Sequence, residues 1–316
     1  MGQEYDERGG SIRVKPLLIV MGQLACNTTL SKASESELQT LYEHLVHARL
    51  VRKVGDVYQI YESAYKDWNQ TCYQILFRMM DVGANKEAYK RLSVTIPYRY
   101  ILREHSSLQA LEALLLGGSG LLFIYPEDDY TASLKELWNH LANKYNLSPM
   151  RTTDWDFSRV RPYNHPALRL AQLATLLHDR EFIVNRIVSC RTTKDVETLF
   201  CVEASEYWKR HFIPARESID VPKRIGKAKS HILGINLVVP MQIAYSENIG
   251  QQHLKQSAMS LLYAIPAEDN RYIRQWNHLG IFPKNALESQ AIIQIITEYC
   301  NKGRCTECPV LSITER

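Results

Sequence analysis

The stretch "ILGINLVVPMQIAY", residues 232–245, decides the fold class of this protein. It is the longest apolar run in the chain, but it is shorter than the roughly 20 residues that a helix needs to span a bilayer. It also contains Asn236 and Pro240, which do not suit a membrane segment. We therefore predict a buried core helix with a kink at Pro240, because proline lacks the N–H of a helical hydrogen bond.

Helical periodicity also dominates the sequence on both sides of this run. Apolar residues recur at helical spacing in "SESELQTLYEHLVHARLVRKV" and again in "SAYKDWNQTCYQILFRMMDVG". Alternating patterns typical of strands are limited to candidates near residues 11–25, 56–61 and 121–124. The sequence thus predicts a predominantly all-α protein, a compact multi-helix body with a few short strands near the N-terminus.

The composition is that of an ordinary globular protein, with 45% hydrophobic and 23% charged residues in a chain of 316 residues. The net charge of +4 permits contact with nucleic acid without requiring it. The sequence has no fixed-period repeat and no flexible linker, which favours one helical domain over residues 35–316 that ends in a cysteine-rich tail.

Cysteine usage indicates a reducing compartment. The chain has seven cysteines, an odd number, and Cys26, Cys72, Cys190 and Cys201 are scattered singly rather than in a dense framework of disulfides. The apolar run at residues 17–21 is too short for the core of a signal peptide. We therefore expect a cytoplasmic protein that does not enter a membrane.

The clearest motif lies in "EYCNKGRCTECPV", residues 298–310, where Cys300, Cys305 and Cys308 form a C-x4-C-x2-C array. The closely spaced pair can reach one ion from a tight turn, and the third cysteine can join from the end of the preceding helix. A structural zinc or an iron–sulfur cluster normally needs four ligands. The sequence leaves Cys190, Cys201 or an external ligand as candidates for the fourth position, with reduced thiols that bind no metal as the alternative.

A second motif, "RVRPYNHPALRLAQLA", has Pro166 at the first turn of a predicted helix. Arg161, Asn164 and Arg169 would gather near the N-terminus of this helix, where free N–H groups favour an anion. The alternative is structural, since asparagine caps helices and arginine pairs with internal carboxylates.

A third motif is the basic stretch at residues 207–231, in which Tyr207, Trp208 and Phe212 stand among lysines and arginines. Aromatic faces beside cations are typical of single-strand binders, although most charge runs are only solvated loops. The predicted anion or nucleic-acid contacts are Arg161, Asn164, Arg169, Arg224, Lys227 and Arg274.

Catalytic patterns are missing from the sequence. It contains neither H-E-x-x-H nor G-x-S-x-G, and the glycines of "GGSG" at residues 117–120 follow a helix instead of joining a strand to a helix as a phosphate loop requires. We therefore predict no catalytic residue.

Several segments together resemble one uncharacterised bacterial family, Domain of Unknown Function twenty-eight fifty-one. They include "RPYNHPALRLAQLA", "GINLVVPMQIAY", "RQWNHLGIFPKNALESQAIIQIITEYC" and the terminal cysteine array. With "DWNQTCYQILFRMMDVGANKEAY" and "LQALEALLLGGSGLL", the resemblance covers roughly residues 60–310. The family has no established activity to carry over.

Members of that family are usually longer at the amino end, where a strand-rich region with a Gly-Asp-Val-Glu-Val-His run is similar to the metal-binding core of a restriction-type nuclease. This sequence lacks that run. Residues 1–34 match the family poorly, so the resemblance implies that they are a leader or a remnant of its final strand. The resemblance therefore implies a helical part without the carboxylate and histidine that would hold a catalytic Mg²⁺.

The sequence favours a non-catalytic helical module that binds nucleic acid or positions a catalytic partner, with a C-terminal structural metal site for zinc or an iron–sulfur cluster. One alternative is a protein-interaction scaffold without a metal. Another, from family analogy alone, is an accessory part of a nuclease-like hydrolase whose catalytic subunit is separate.

Overall fold

The structure is a computed structural model, which describes residues 26–81, 83–158, 160–278 and 280–313. Its helices, numbered in chain order, are α1 Asn27–Lys32, α2 Glu35–Ser63, α3 Trp68–Met80, α4 Lys86–Thr95, α5 Tyr98–Glu104, α6 Leu108–Glu112, α7 Asp129–Tyr145, α8 Pro166–Asp179, α9 Ile183–Ser189, α10 Thr193–Phe200, α11 Lys227–Leu233, α12 Val239–Ile249, α13 Gln252–Ala264, α14 Arg271–Asn277 and α15 Ala286–Glu298. The predicted all-α class is confirmed. None of the helices described here is long and apolar enough to cross a membrane.

The chain divides into two units. The terminal unit is formed by the described residues of Met1–Arg52 and Pro266–Arg316, and the central unit is Lys53–Ile265. Helix α2 supplies residues to both units.

The stretch that decides the fold lies in the core of the central unit, as predicted. It is divided between α11, a π-helical turn at Gly234–Val238 and α12, with Pro240 near the start of α12. The wider turn comes just before the proline, whose ring and missing N–H would disturb an unbroken α-helix. Leu237, Val238 and Met241 are fully buried.

The predicted positions of the strands were wrong where the structure describes them. Residues 56–61 belong to α2, because Val54, Val57 and Tyr61 continue its buried helical face. Leu121–Phe123 form a 3₁₀ turn. The strands observed are β1 His211–Ile213 and β2 Arg216–Glu217, a short antiparallel hairpin later in the chain. The strand predicted near residues 11–25 lies outside the described residues.

The terminal unit is built around α15. Asn285 caps this helix by accepting a hydrogen bond from the backbone N–H of Glu288 at 3.0 Å, and ten of the helix's residues are buried. Three short 3₁₀ turns follow, at Cys300–Lys302, Cys305–Glu307 and Pro309–Ile313.

Candidate metal centre and cationic pocket

In the terminal unit, Cys300 and Cys305 begin the first two of these turns, and Cys308 directly precedes the third. The chain reverses at Gly303, whose φ of 66° favours glycine, and its N–H donates to the Cys300 carbonyl at 3.2 Å. The N–H of Cys308 donates to the Cys305 carbonyl at 3.1 Å. Cys300 and Cys308 are buried, Cys305 is partly exposed, and all three are free thiols.

A fourth cysteine, Cys26, lies beside them. It precedes α1, and α1 packs against the turn Pro309–Ile313, which begins directly after Cys308. No sequence pattern indicated this approach, because Cys26 stands alone and far from the array along the chain. Cys190 and Cys201, the fourth ligands considered from sequence, belong to the central unit.

The four thiols influence one another electrostatically. Burial raises the pKa of Cys26 to about 11 and that of Cys300 to about 12, and it also raises the pKa of Cys308. Repulsion from the neighbouring cysteines of the set adds to each of these pKa increases. As the side chains are placed, however, no group of three or more Cys, His, Asp or Glu residues among those described is arranged to hold a metal ion.

Two of the predicted anion contacts near α8 meet each other. Arg169 donates to the Asn164 side-chain oxygen at 2.7 Å and to Gln172 at 2.9 Å. The cap of α8 is His165 rather than Asn164, since its Nδ1 accepts from the backbone N–H of Ala167 at 3.3 Å. Arg161 is exposed before this helix.

The remaining predicted contacts each pair with a carboxylate on the surface. The pairs are Arg224 with Glu203 at 2.8 Å, Lys227 with Glu197 at 3.2 Å and Arg274 with Asp269 at 2.6 Å. The aromatic residues of the basic stretch are engaged elsewhere. Trp208 is fully buried, and Tyr207 stacks between Tyr130 and His211.

A cationic pocket of about 190 Å³ lies in the central unit, where sequence reasoning did not place one. Its charged lining residues are Lys53, Arg78 and Lys86 against the single carboxylate of Asp56. The other lining residues are Val57, Ile60, Ile75, Met79, Asn236 and Pro240. The Nε of Arg78 is buried and has no hydrogen-bond partner within the described parts of the chain.

The π-helical turn helps to build this pocket. It places Asn236 where its side-chain oxygen accepts from the Lys53 ammonium at 2.8 Å. Such turns frequently mark functional sites, because they re-aim side chains that a regular helix would point elsewhere. Gly234 and Pro240 on either side of Asn236 indicate an irregular turn of the helix, but they do not by themselves predict a pocket.

More positive charge lies next to the pocket. The Lys229 ammonium donates to the carbonyl of Met79, a lining residue, at 2.6 Å and to that of Met80 at 2.9 Å. Burial, with a smaller contribution from the charge of Arg169, lowers the pKa of Lys229 to about 8, while the Asp81 carboxylate acts in the opposite direction. A negative ligand in this region would therefore relieve repulsion between buried cations.

A buried polar network also surrounds Glu112, at the start of a π-helical turn at Ala113–Gly117. Its carboxylate accepts from the hydroxyls of Tyr130 and Ser205, each at 2.7 Å. Burial raises the pKa of Glu112. Since both carboxylate oxygens are hydrogen-bonded, the network is satisfied internally and serves packing.

Comparison with known proteins places the chain in a family. The family model described as "Protein of unknown function (DUF2851)" matches residues 12–271. The match covers more than half of the chain, and the chain belongs to this family. The match begins within residues 1–34 and ends before the terminal cysteines. No curated protein and no solved structure matches the chain.

Proposed function

We propose that this member of the DUF2851 family is a non-catalytic helical module that binds the phosphate backbone of nucleic acid. The observation that carries the proposal is the pocket in which Lys53, Arg78 and Lys86 face the single carboxylate of Asp56. Arginine offers a planar fork of donors and lysine a compact point charge, and both are common phosphate ligands.

The size of the pocket favours a phosphate group over a whole cofactor. Its volume of about 190 Å³ is below the range of about 300–1,000 Å³ that is usual for small-molecule sites. A single backbone phosphate needs much less room than an enclosed nucleotide. Contacts of this kind bind sequence-independently and lose affinity steeply as salt rises.

The six residues predicted from sequence are further proposed contacts, each independent of the pocket. Arg224, Lys227 and Arg274 each pair with a carboxylate, but the three cations are themselves largely exposed, so a phosphate can reach them from solvent. Arg161, Asn164 and Arg169 form a second group around the start of α8.

The proposal includes a structural metal site for zinc or an iron–sulfur cluster at Cys300, Cys305 and Cys308. Three free thiols within one short segment of turns, two of them buried, support it. The metal would stabilise the terminal unit and take no part in chemistry.

The test is fluorescence anisotropy with short single- and double-stranded oligonucleotides over a salt series up to about 0.2 M. We expect binding at low salt and a linear loss of log affinity with log salt. Lys86→Gln should weaken binding and lower the slope for duplex by about 0.9, as expected for one lost phosphate contact. Asp56→Asn should strengthen binding, because it removes the pocket's carboxylate.

Lys194→Gln is the matched control, since Lys194 is exposed on α10 and does not line the pocket. It changes the net charge as Lys86→Gln does, so it should have a clearly smaller effect. Equal effects of the two lysine variants, or no binding at the lowest salt, would refute the proposed pocket.

A further inference from the structure

We infer that Cys26 is the fourth ligand of a four-thiolate metal centre that it forms with Cys300, Cys305 and Cys308. The inference rests on the metal site of the proposed function and adds the residue that completes it. Four cysteines are a common ligand set for a structural zinc ion or an iron–sulfur cluster.

The backbone brings Cys26 to the array. Helix α1 starts at the residue after Cys26, and the turn Pro309–Ile313 starts at the residue after Cys308. Because these two elements pack together, the cysteines that precede them enter the same region of the terminal unit. Cys300 and Cys305 reach it from the two preceding turns.

The four cysteines are neighbours in space. Every pair among Cys26, Cys300, Cys305 and Cys308 interacts electrostatically. A divalent cation would draw the four sulfurs to one point and favour their thiolate forms. Binding would transfer the thiol protons to solvent as the sulfur–metal bonds form.

As the thiols are placed among the described residues, they do not yet form a group that could hold a metal ion. Rotation about the Cα–Cβ bonds can gather them, because none is tied in a disulfide. The other two candidates fit less well. The Cys190 thiol donates to the Arg186 carbonyl at 3.3 Å, and Cys201 is exposed on the central unit.

The site would act as a cross-link within the terminal unit. It would join the segment before α1 to turns that follow α15, two positions that are distant along the chain. Closing such a long loop removes entropy from the unfolded chain, and small units with limited cores often depend on a metal for this reason.

The test uses the full chain, purified without oxygen and without a metal-binding tag. Elemental analysis and an absorption spectrum should show about one zinc per chain, or iron with sulfide and a visible band. Either result supports the ligand set, and the spectrum distinguishes the ion from the cluster. A chain that holds neither metal overturns both the proposed metal site and the role of Cys26.

Three variants isolate Cys26. Cys26→Ser should weaken metal affinity by about tenfold or more, and Cys201→Ser, the control, should leave it unchanged. Cys26→His, which restores a zinc ligand, should recover most of the affinity. After metal removal and loading with Co²⁺, Cys26→Ser should show a weaker sulfur-to-cobalt absorption than the wild type, by the contribution of one thiolate out of four.

Circular dichroism confirms that each variant is folded before metal is added. Full metal affinity and an unchanged cobalt spectrum in Cys26→Ser would refute the role of Cys26 while leaving the three-cysteine site in place. Failure of oligonucleotide binding bears only on the cationic pocket, so the two proposals are tested separately.

Discussion

Acidification from pH 7 to pH 5 should destabilise the protein through one buried histidine. His165 is only 5% exposed, and burial lowers its pKa from 6.5 to about 4. The backbone N–H of Ala167 can only donate, so the Nδ1 that it contacts must stay unprotonated. The neutral ring therefore carries its proton on Nε2, which lies 2.8 Å from the Tyr125 hydroxyl.

The magnitude follows from the two pKa values. Between pH 6.5 and pH 4 the unfolded chain binds a proton at His165 and the folded chain does not. The free energy of unfolding therefore falls as pH falls, by about 1.4 kcal/mol per pH unit within that window. The loss amounts to about 2 kcal/mol between pH 7 and pH 5 and approaches about 3 kcal/mol near pH 4.

Urea denaturation at pH 7 and pH 5 measures the effect. His165→Asn is the informative variant, because asparagine is a good helix cap that does not titrate. We expect the wild type to lose about 2 kcal/mol more than His165→Asn over this interval. His253→Asn, at an exposed position on α13, should behave as wild type. If wild type and His165→Asn lose the same free energy, the argument from burial and capping is refuted.

Two further predictions concern packing in the central unit. A Cβ at Gly117 would lie 2.4 Å from a ring carbon of Trp138, so Gly117→Ala should lower the free energy of unfolding by about 1–3 kcal/mol. The control Gly226→Ala places its Cβ in open space and should leave the free energy of unfolding unchanged. Equal denaturation midpoints for the two variants would contradict this prediction. The buried Lys223 ammonium donates to the carbonyls of Lys209, Ile219 and Val221. Lys223→Met removes these hydrogen bonds, so it should make the segment between residues 209 and 223 susceptible to limited proteolysis. An unchanged cleavage pattern would contradict this role of Lys223.

The comparison of prediction and structure shows where local pattern is sufficient. The helical class followed from periodicity, because a helix repeats its buried face every few residues. The burial of the stretch around Pro240 followed from the length and apolar composition of that run. The prediction of a strand at residues 56–61 was wrong, because a short apolar pattern fits the spacing of a strand as well as that of a helix. The segment is helical because it continues the long helix α2.

The candidate sites depend on contacts between residues that are distant in sequence. Trp208, predicted as a stacking surface, is buried instead, since the local pattern does not say which face of a basic segment meets the core. The cationic pocket draws Lys53, Arg78 and Lys86 from three different helices.

The sequence by itself determined that the chain is helical, where its longest core segment lies and that three terminal cysteines share one short tail. Only the tertiary structure decided that Cys26 lies beside them and that three separated cations line one pocket. The physical reason is that helical periodicity is set by hydrogen bonds between near neighbours, whereas these approaches are set by which helix faces pack together.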